Sequence, residues 1–174
     1  MVLLALLGAK ASDPEKQVRT ERRAIQWLLA MQSSDGGWAA FDVDNNWEIL
    51  NKVPFADHNA MLDPTCPDIT GRVLESLCRR EFDYSHPAIA RGVKYLVTRQ
   101  EKNGSWYGRW GVNYIYGTFL AIRGLIATNA PYVGDAIARG ARWLCDVQNP
   151  DGGWGESCKG YDTNQFEQAE STPS

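Results

Sequence analysis

The sequence predicts an all-α chain forming part of an α/α toroid, a double ring of inner and outer helices. Three observations carry this reading. A sixteen-residue pattern recurs three times in register, each copy opens on an amphipathic helical stretch, and the segments between the copies are apolar with no clear polar face. No segment alternates cleanly enough to suggest a sheet.

The pattern occupies 23–38, 91–106 and 139–154. In each copy an Arg is followed after four residues by an aromatic, after nine by Gln and after fifteen by Trp: Arg23, Trp27, Gln32, Trp38; Arg91, Tyr95, Gln100, Trp106; Arg139, Trp143, Gln148, Trp154. The stretch up to each Gln reads as helix, with Ile89, Val93, Leu96 and Val97 on one face and Val133, Ile137 and Leu144 on another. Pro14, Pro87 and Pro131 precede these stretches and suit a first helical turn. An Asp-Gly or Asn-Gly after each Gln stops the helix and supplies positive-φ turn positions. The Gln side chain is placed to bond backbone groups at a neighbouring helix end, and the Trp is expected over that Gln and the Arg, where a cation–π contact adds about 0.5–1 kcal/mol. Gln32, Trp38, Gln100, Trp106, Gln148 and Trp154 are therefore read as scaffold.

The opening run 1–7 is apolar and helical, lacks a capping residue and a basic region ahead of it, and is too short to span a bilayer. It reads as the middle of a fold. Residues 69–78 predict a short inner helix through Val73, Leu74 and Leu77. Residues 113–127 are apolar almost all round, the pattern of a helix buried on every side. The polar, aperiodic tail from 155 to 174 predicts irregular structure, and the chain is expected to be one domain fragment, 1–174, cut at both ends.

A formal net charge of −3 with no basic cluster speaks against a nucleic-acid partner. The four cysteines (Cys66, Cys78, Cys145 and Cys158) include no CxxC pair and read as reduced thiols, and His58 and His86 lack paired-ligand spacing for zinc.

The repeat resembles the QW motif of triterpene cyclases. The strings at 41–45 (FDVDN), 54–58 (PFADH), 68–75 (DITGRVLE) and 108–117 (GRWGVNYIYG) resemble bacterial squalene–hopene cyclases. The resemblance covers nearly the whole chain. It implies a piece of the catalytic barrel of an enzyme that cyclises squalene, or a related polyene, to hopene or hopanol in hopanoid biosynthesis, with no cofactor and no metal. It further implies a monotopic parent at the cytoplasmic face of the membrane, with a homodimer as its assembly.

The chemistry needs a carboxylic acid to protonate a terminal double bond, aromatic faces to stabilise cations without quenching them, and a dry cavity. The family's acid motif, Asp-x-Asp-Asp, is expected immediately before Met1. The run Asp42-Val43-Asp44-Asn45 follows a QW repeat and is not that motif. By itself the segment is therefore expected to be inactive.

By resemblance, Trp110 matches a cavity Trp, with plain core packing as its alternative. Phe41 stands where the family often carries a cation-stabilising Tyr; it keeps the π face and lacks the hydroxyl. Tyr116 matches a Tyr that orients the acid. Asp68 matches a carboxylate near the acid and also reads as the N-cap of its helix. Arg72 stands where some members carry a His that polarises the acid, and it is spaced to pair with Asp68 at i, i+4. Phe55 and Ala56 match a channel constriction, with a loop covering the core as the alternative for Phe55. Asp57, His58 and Asp63 read as loop residues.

Three other readings remain open at this point. Protein prenyltransferase β subunits share the toroid and hold zinc through Asp, Cys and His, a set that Asp63, Cys66 and His58 superficially offer. A non-enzymatic helical scaffold is the second, and among enzymes another terpene cyclase is a third.

Overall fold

The computed structural model describes residues 2–9, 11–45 and 63–170, so Phe55, Ala56, Asp57 and His58 lie outside the described residues. Seven helices follow one another among them: α1 Val2–Gly8, α2 Pro14–Ala30, α3 Pro67–Cys78, α4 Pro87–Thr98, α5 Asn113–Thr128, α6 Gly134–Asp146 and the single turn α7 Gly160–Thr163. The β pairing among the described residues is one isolated bridge, Glu156 with Gln168. The all-α expectation holds.

Helix starts follow local chemistry. Pro14 opens α2 behind Asp13, whose carboxylate accepts from the Lys16 N–H at 2.9 Å. Pro87 opens α4 behind His86, whose Nδ1 accepts from the Ala88 N–H at 3.3 Å. Pro67 opens α3, two residues ahead of the expected start. Pro131 does not open a helix; it sits in a turn and α6 begins at Gly134. Its fixed φ serves a turn corner as well as a first helical turn.

The helices form two layers. α3 and α5 lie against each other as the inner pair, α4 packs on both and α6 on α5. Leu74 and Leu77 of α3, Ile89, Val93 and Leu96 of α4, and Leu125 of α5 bury completely with Trp38 and Trp106 between the layers. α5 departs from expectation: Phe119 and Ile126, with Arg123 beside them, lie exposed on one stripe, so the helix is not buried on every side among the described residues.

The repeat forms a joint between successive outer helices. The Gln32 amide donates to the carbonyl of Gly36 at 2.9 Å, closing its own turn, and to that of Ala88 at 2.8 Å in the first turn of α4. Gln100 does the same with Gly104 at 2.9 Å and Ala136 of α6 at 2.8 Å. Gln148 closes the third turn on Gly152 at 2.8 Å. The arginine that reaches each Gln Oε1 comes from the following repeat, Arg91 to Gln32 and Arg139 to Gln100. The Trp indole N–H reaches back to a helix carbonyl ten residues earlier: Trp38 to Leu28 (2.7 Å), Trp106 to Leu96 (2.7 Å), Trp154 to Leu144 (2.8 Å).

The expected stacking of each Trp on an Arg is therefore corrected. The arginine–ring stacks among the described residues are Arg72 over Tyr116 and Arg99 over Tyr95. Arg91 and Arg139 spend their guanidinium groups on the preceding Gln, and each indole spends its N–H on its own repeat's helix. Gly36 and Gly104 hold φ of 91° and 96°, and a Cβ there would fall 2.7 and 2.8 Å from the carbonyl oxygens of Arg91 and Arg139. The turn glycine thus lets the next helix come into direct contact.

The inner pair touches backbone to backbone. A Cβ on Gly71 would lie 2.3 Å from the Leu120 carbonyl oxygen, and one on Gly124 would lie 2.6 Å from the Gly71 Cα. Gly124→Ala is expected to destabilise the folded protein by about 1–3 kcal/mol through overpacking. Gly134→Ala, where nothing lies within 4 Å, is expected to be neutral or stabilising. Chemical denaturation of both variants checks this; equal effects would contradict the close crossing.

Candidate active site

The first turn of α3 is built from Cys66, Pro67 and Asp68. Cys66, extended at φ −139° and ψ 149°, is the N-cap residue and makes no side-chain cap. Asp68 therefore falls inside the helix, and the expected N-cap role is corrected. Because the helix starts two residues earlier than expected, at Pro67, the fully buried Asp68 carboxylate bonds the loop that leads into α5. One oxygen accepts from the Arg109 N–H at 3.3 Å and the other from the Trp110 N–H at 3.1 Å.

One turn on, Arg72 Nη2 donates to Tyr116 Oη at 2.6 Å, and the guanidinium carbon lies 5.2 Å from the Tyr116 ring centroid. No ion pair joins Arg72 to Asp68, so the expected i, i+4 pair is not formed. The Asp68 oxygens are occupied by backbone N–H groups, and Arg72 reaches α5 instead. Burial, then the nearby Asp68 charge, push the Tyr116 phenol above its usual range, with Arg72 opposing; Tyr116 is therefore neutral near pH 7 and retains a proton to donate.

Trp110 is 47% exposed, and its ring meets Phe41 edge to face, centroids 5.5 Å apart at 90°. Among the described residues it is Trp38 and Trp106 that fill the core, while Trp110 stays half exposed. The loop between Trp110 and α5 passes close to Tyr116: a Cβ on Gly111 would stand 2.6 Å from the Tyr116 ring. Phe41, Trp110, Tyr116, Arg72 and Asp68 therefore form one connected cluster across α3, the loop before α5, and the loop after the first repeat.

Two further carboxylates hold this cluster, and no motif around either residue marks it. Asp63, read as a loop residue, is buried and accepts from the backbone N–H groups of Ala40 (3.1 Å), Phe41 and Asp42 (2.8 Å). Glu156, in the tail, accepts from the N–H groups of Tyr114 and Ile115 at 2.9 Å and so caps α5. The residue before α5 is Val112, which has no capping group, and that gap was the one available hint. The tail is irregular as expected apart from α7 and the single bridge, yet it is tied to α5, with Tyr161 Oη donating to the Gly111 carbonyl at 2.9 Å.

Asp44 is spent locally. Hydrogen bonds from the Ser34 N–H, then the Ser34 hydroxyl, hold its carboxyl below the usual range, so it is ionised at neutral pH and carries no proton for an alkene. Both Asp63 oxygens are likewise occupied by amides, which removes one member of the zinc set. A cavity of about 190 Å³ lies beside Arg72, lined by Trp27, Met31, Trp38, Ile69 and Val73. Ligand pockets run to roughly 300–1,000 Å³, so this cavity falls short of the size of an ordinary ligand pocket.

The family model for the squalene-hopene cyclase C-terminal domain matches residues 1–174. The chain belongs to that family. Curated relatives include a squalene–hopene cyclase of Zymomonas mobilis, 43% identical over 96% of this chain and 26% of its own length. A squalene–hopene cyclase of Alicyclobacillus acidocaldarius is 40% identical over 100% of this chain and 28% of its own length. A dammaradiene synthase of Dryopteris crassirhizoma is 43% identical over 92% of this chain and 26% of its own length. The chain thus spans about a quarter of the cyclases it matches, in keeping with the partial toroid.

The four thiols separate by environment. Burial, then the Asp68 charge, push the Cys66 thiol well above its usual range, and burial pushes Cys78 up to about 11; Cys145 and Cys158 are exposed. Because the thiolate is the nucleophile, alkylation of the folded protein at about pH 8 is expected to mark Cys145 and Cys158 first and spare Cys66 until unfolding. Mass mapping that finds Cys66 labelled first would contradict this placement.

Proposed function

We propose that this segment forms part of the cation-stabilising wall of a squalene–hopene cyclase, within a longer chain that converts squalene to hopene or hopanol by acid-initiated polycyclisation. The observation that carries the reading is Trp110: a half-exposed indole, edge to face with Phe41, on a backbone fixed by a buried carboxylate. Such faces attract a carbocation and offer no lone pair to trap it.

The proton comes, in this reading, from an Asp-x-Asp-Asp motif elsewhere in the longer chain. Tyr116 supports that acid: it accepts from Arg72, which leaves its own O–H free to donate and strengthens it as a donor. Arg72 adds a permanent positive charge beside the acid's site, favouring release of its proton. The parent is proposed to work as a monotopic protein at the cytoplasmic face, because its hydrocarbon substrate resides in the bilayer. Among the described residues no helix is long and apolar enough to cross a membrane. A homodimer of the parent rests on the family resemblance alone.

In the full-length cyclase, Trp110→Ala is expected to slow cyclisation or release incompletely cyclised products. A cation–π contact of about 2 kcal/mol in a dry site corresponds to roughly thirtyfold in rate. Product analysis by gas chromatography with squalene as substrate tests this. An unchanged rate and product profile in Trp110→Ala would remove Trp110 from the wall, and absence of any cyclised product from the unmodified full-length protein would overturn the function.

A further inference from the structure

Among the described residues the Phe41 ring meets one aromatic neighbour, Trp110, and 70% of the residue is exposed. Among the described residues it is the backbone of Phe41, rather than packing around its ring, that carries the contacts fixing its position. That backbone is held from one side. Three consecutive N–H groups, those of Ala40, Phe41 and Asp42, converge on the carboxylate of Asp63, which is 6% exposed. Successive amides converging on one anion form a nest, and charge-assisted bonds of this kind are the stronger ones.

The arrangement has a counterpart five residues on. Asp68 holds the N–H groups of Arg109 and Trp110 in the same way. Both carboxylates belong to the short segment entering α3, where Cys66 bonds back through its N–H to the Trp38 carbonyl at 3.1 Å. One segment thus fixes two loops, and each loop carries one ring of the edge-to-face pair.

We propose that Asp63 is a positioning residue: it sets the Phe41 ring against Trp110 and thereby decides how far the cation cyclises before release. This rests on the proposed cyclase function. Asp63→Asn keeps the size of the side chain but replaces one acceptor oxygen with an NH₂ group that faces the same amides. The loop should then shift with its ring while Phe41 itself is retained.

The test compares the full-length cyclase with Asp63→Asn, Phe41→Ala and the double variant, reading the ratio of incompletely cyclised to fully cyclised product from squalene. Asp63→Asn is expected to raise that ratio roughly tenfold, as loss of about one charge-assisted hydrogen bond would. In the Phe41→Ala background the same change is expected to add nothing, because Asp63 acts through that ring. An unchanged ratio accompanied only by a lower thermal midpoint would make Asp63 merely structural and overturn the proposal. So would additive effects in the double variant.

The unmodified enzyme is the separate control for the function itself: if it makes no cyclised product, the cyclase reading fails along with what rests on it. Hydrogen exchange on the unmodified protein keeps the proposal testable if Asp63→Asn does not fold. The amides of 40–42 are expected to be protected although they lie in a loop; rapid exchange at all three would overturn the nest.

Discussion

The close crossing of α3 and α5 is the constraint on which the rest of the chain depends. With Gly71 against the Leu120 carbonyl and Gly124 against Gly71, the two inner helices approach to a distance that no Cβ would allow. Arg72 follows Gly71 directly, and Tyr116 lies one turn before Leu120, so the same approach brings the Arg72 guanidinium to the Tyr116 hydroxyl. Across the same interface Glu75, buried on α3, accepts from Arg123 of α5 at 2.5 Å and from Arg79 of its own helix at 2.8 Å. A buried carboxylate is tolerable here because it is paired twice.

The outer layer is indexed to this pair by hydrogen bonds of one repeated kind. Thr70 of α3 and Thr118 of α5 each accept, at 2.9 Å, from the backbone N–H of a repeat tryptophan, Trp38 and Trp106. The Gln joints then carry the spacing from one outer helix to the next. Carboxylates supply what the repeat does not: the buried Asp63 and Asp68 and the half-buried Glu156 each satisfy two or more backbone N–H groups in the loops around the aromatic cluster. Loops held this way present rings at fixed positions without burying them.

Much of this is legible in the sequence because it is local. Helix periodicity, the Pro and Gly punctuation and the in-register Arg, Gln and Trp predict the helices and their layers. What the sequence hides is partnership between distant residues. The spacing of Arg to Gln is the same whether the partner lies in its own repeat or the next, so the pairing of Arg91 with Gln32 was not readable. Asp68 looks like a cap because Asp often is one; the proline before it moves the helix start by two positions, and the carboxylate bonds another loop instead. Asp63 and Glu156 lie 22 residues from Phe41 and 42 from Tyr114, beyond any local pattern. The resemblance to cyclases, by contrast, marked Trp110, Phe41, Arg72, Tyr116 and Asp68 one by one, and the fold brings these five together.

The central claim is that the Trp110 and Phe41 rings face a cyclising polyene. An experimental structure of the full-length cyclase with a non-reactive squalene analogue bound tests it most directly. The account predicts the analogue chain within about 6 Å of the Trp110 ring centroid, the range of a cation–π contact, with Phe41 edge-on beside it. An analogue bound elsewhere, with the Trp110 ring packed only against protein, would contradict it.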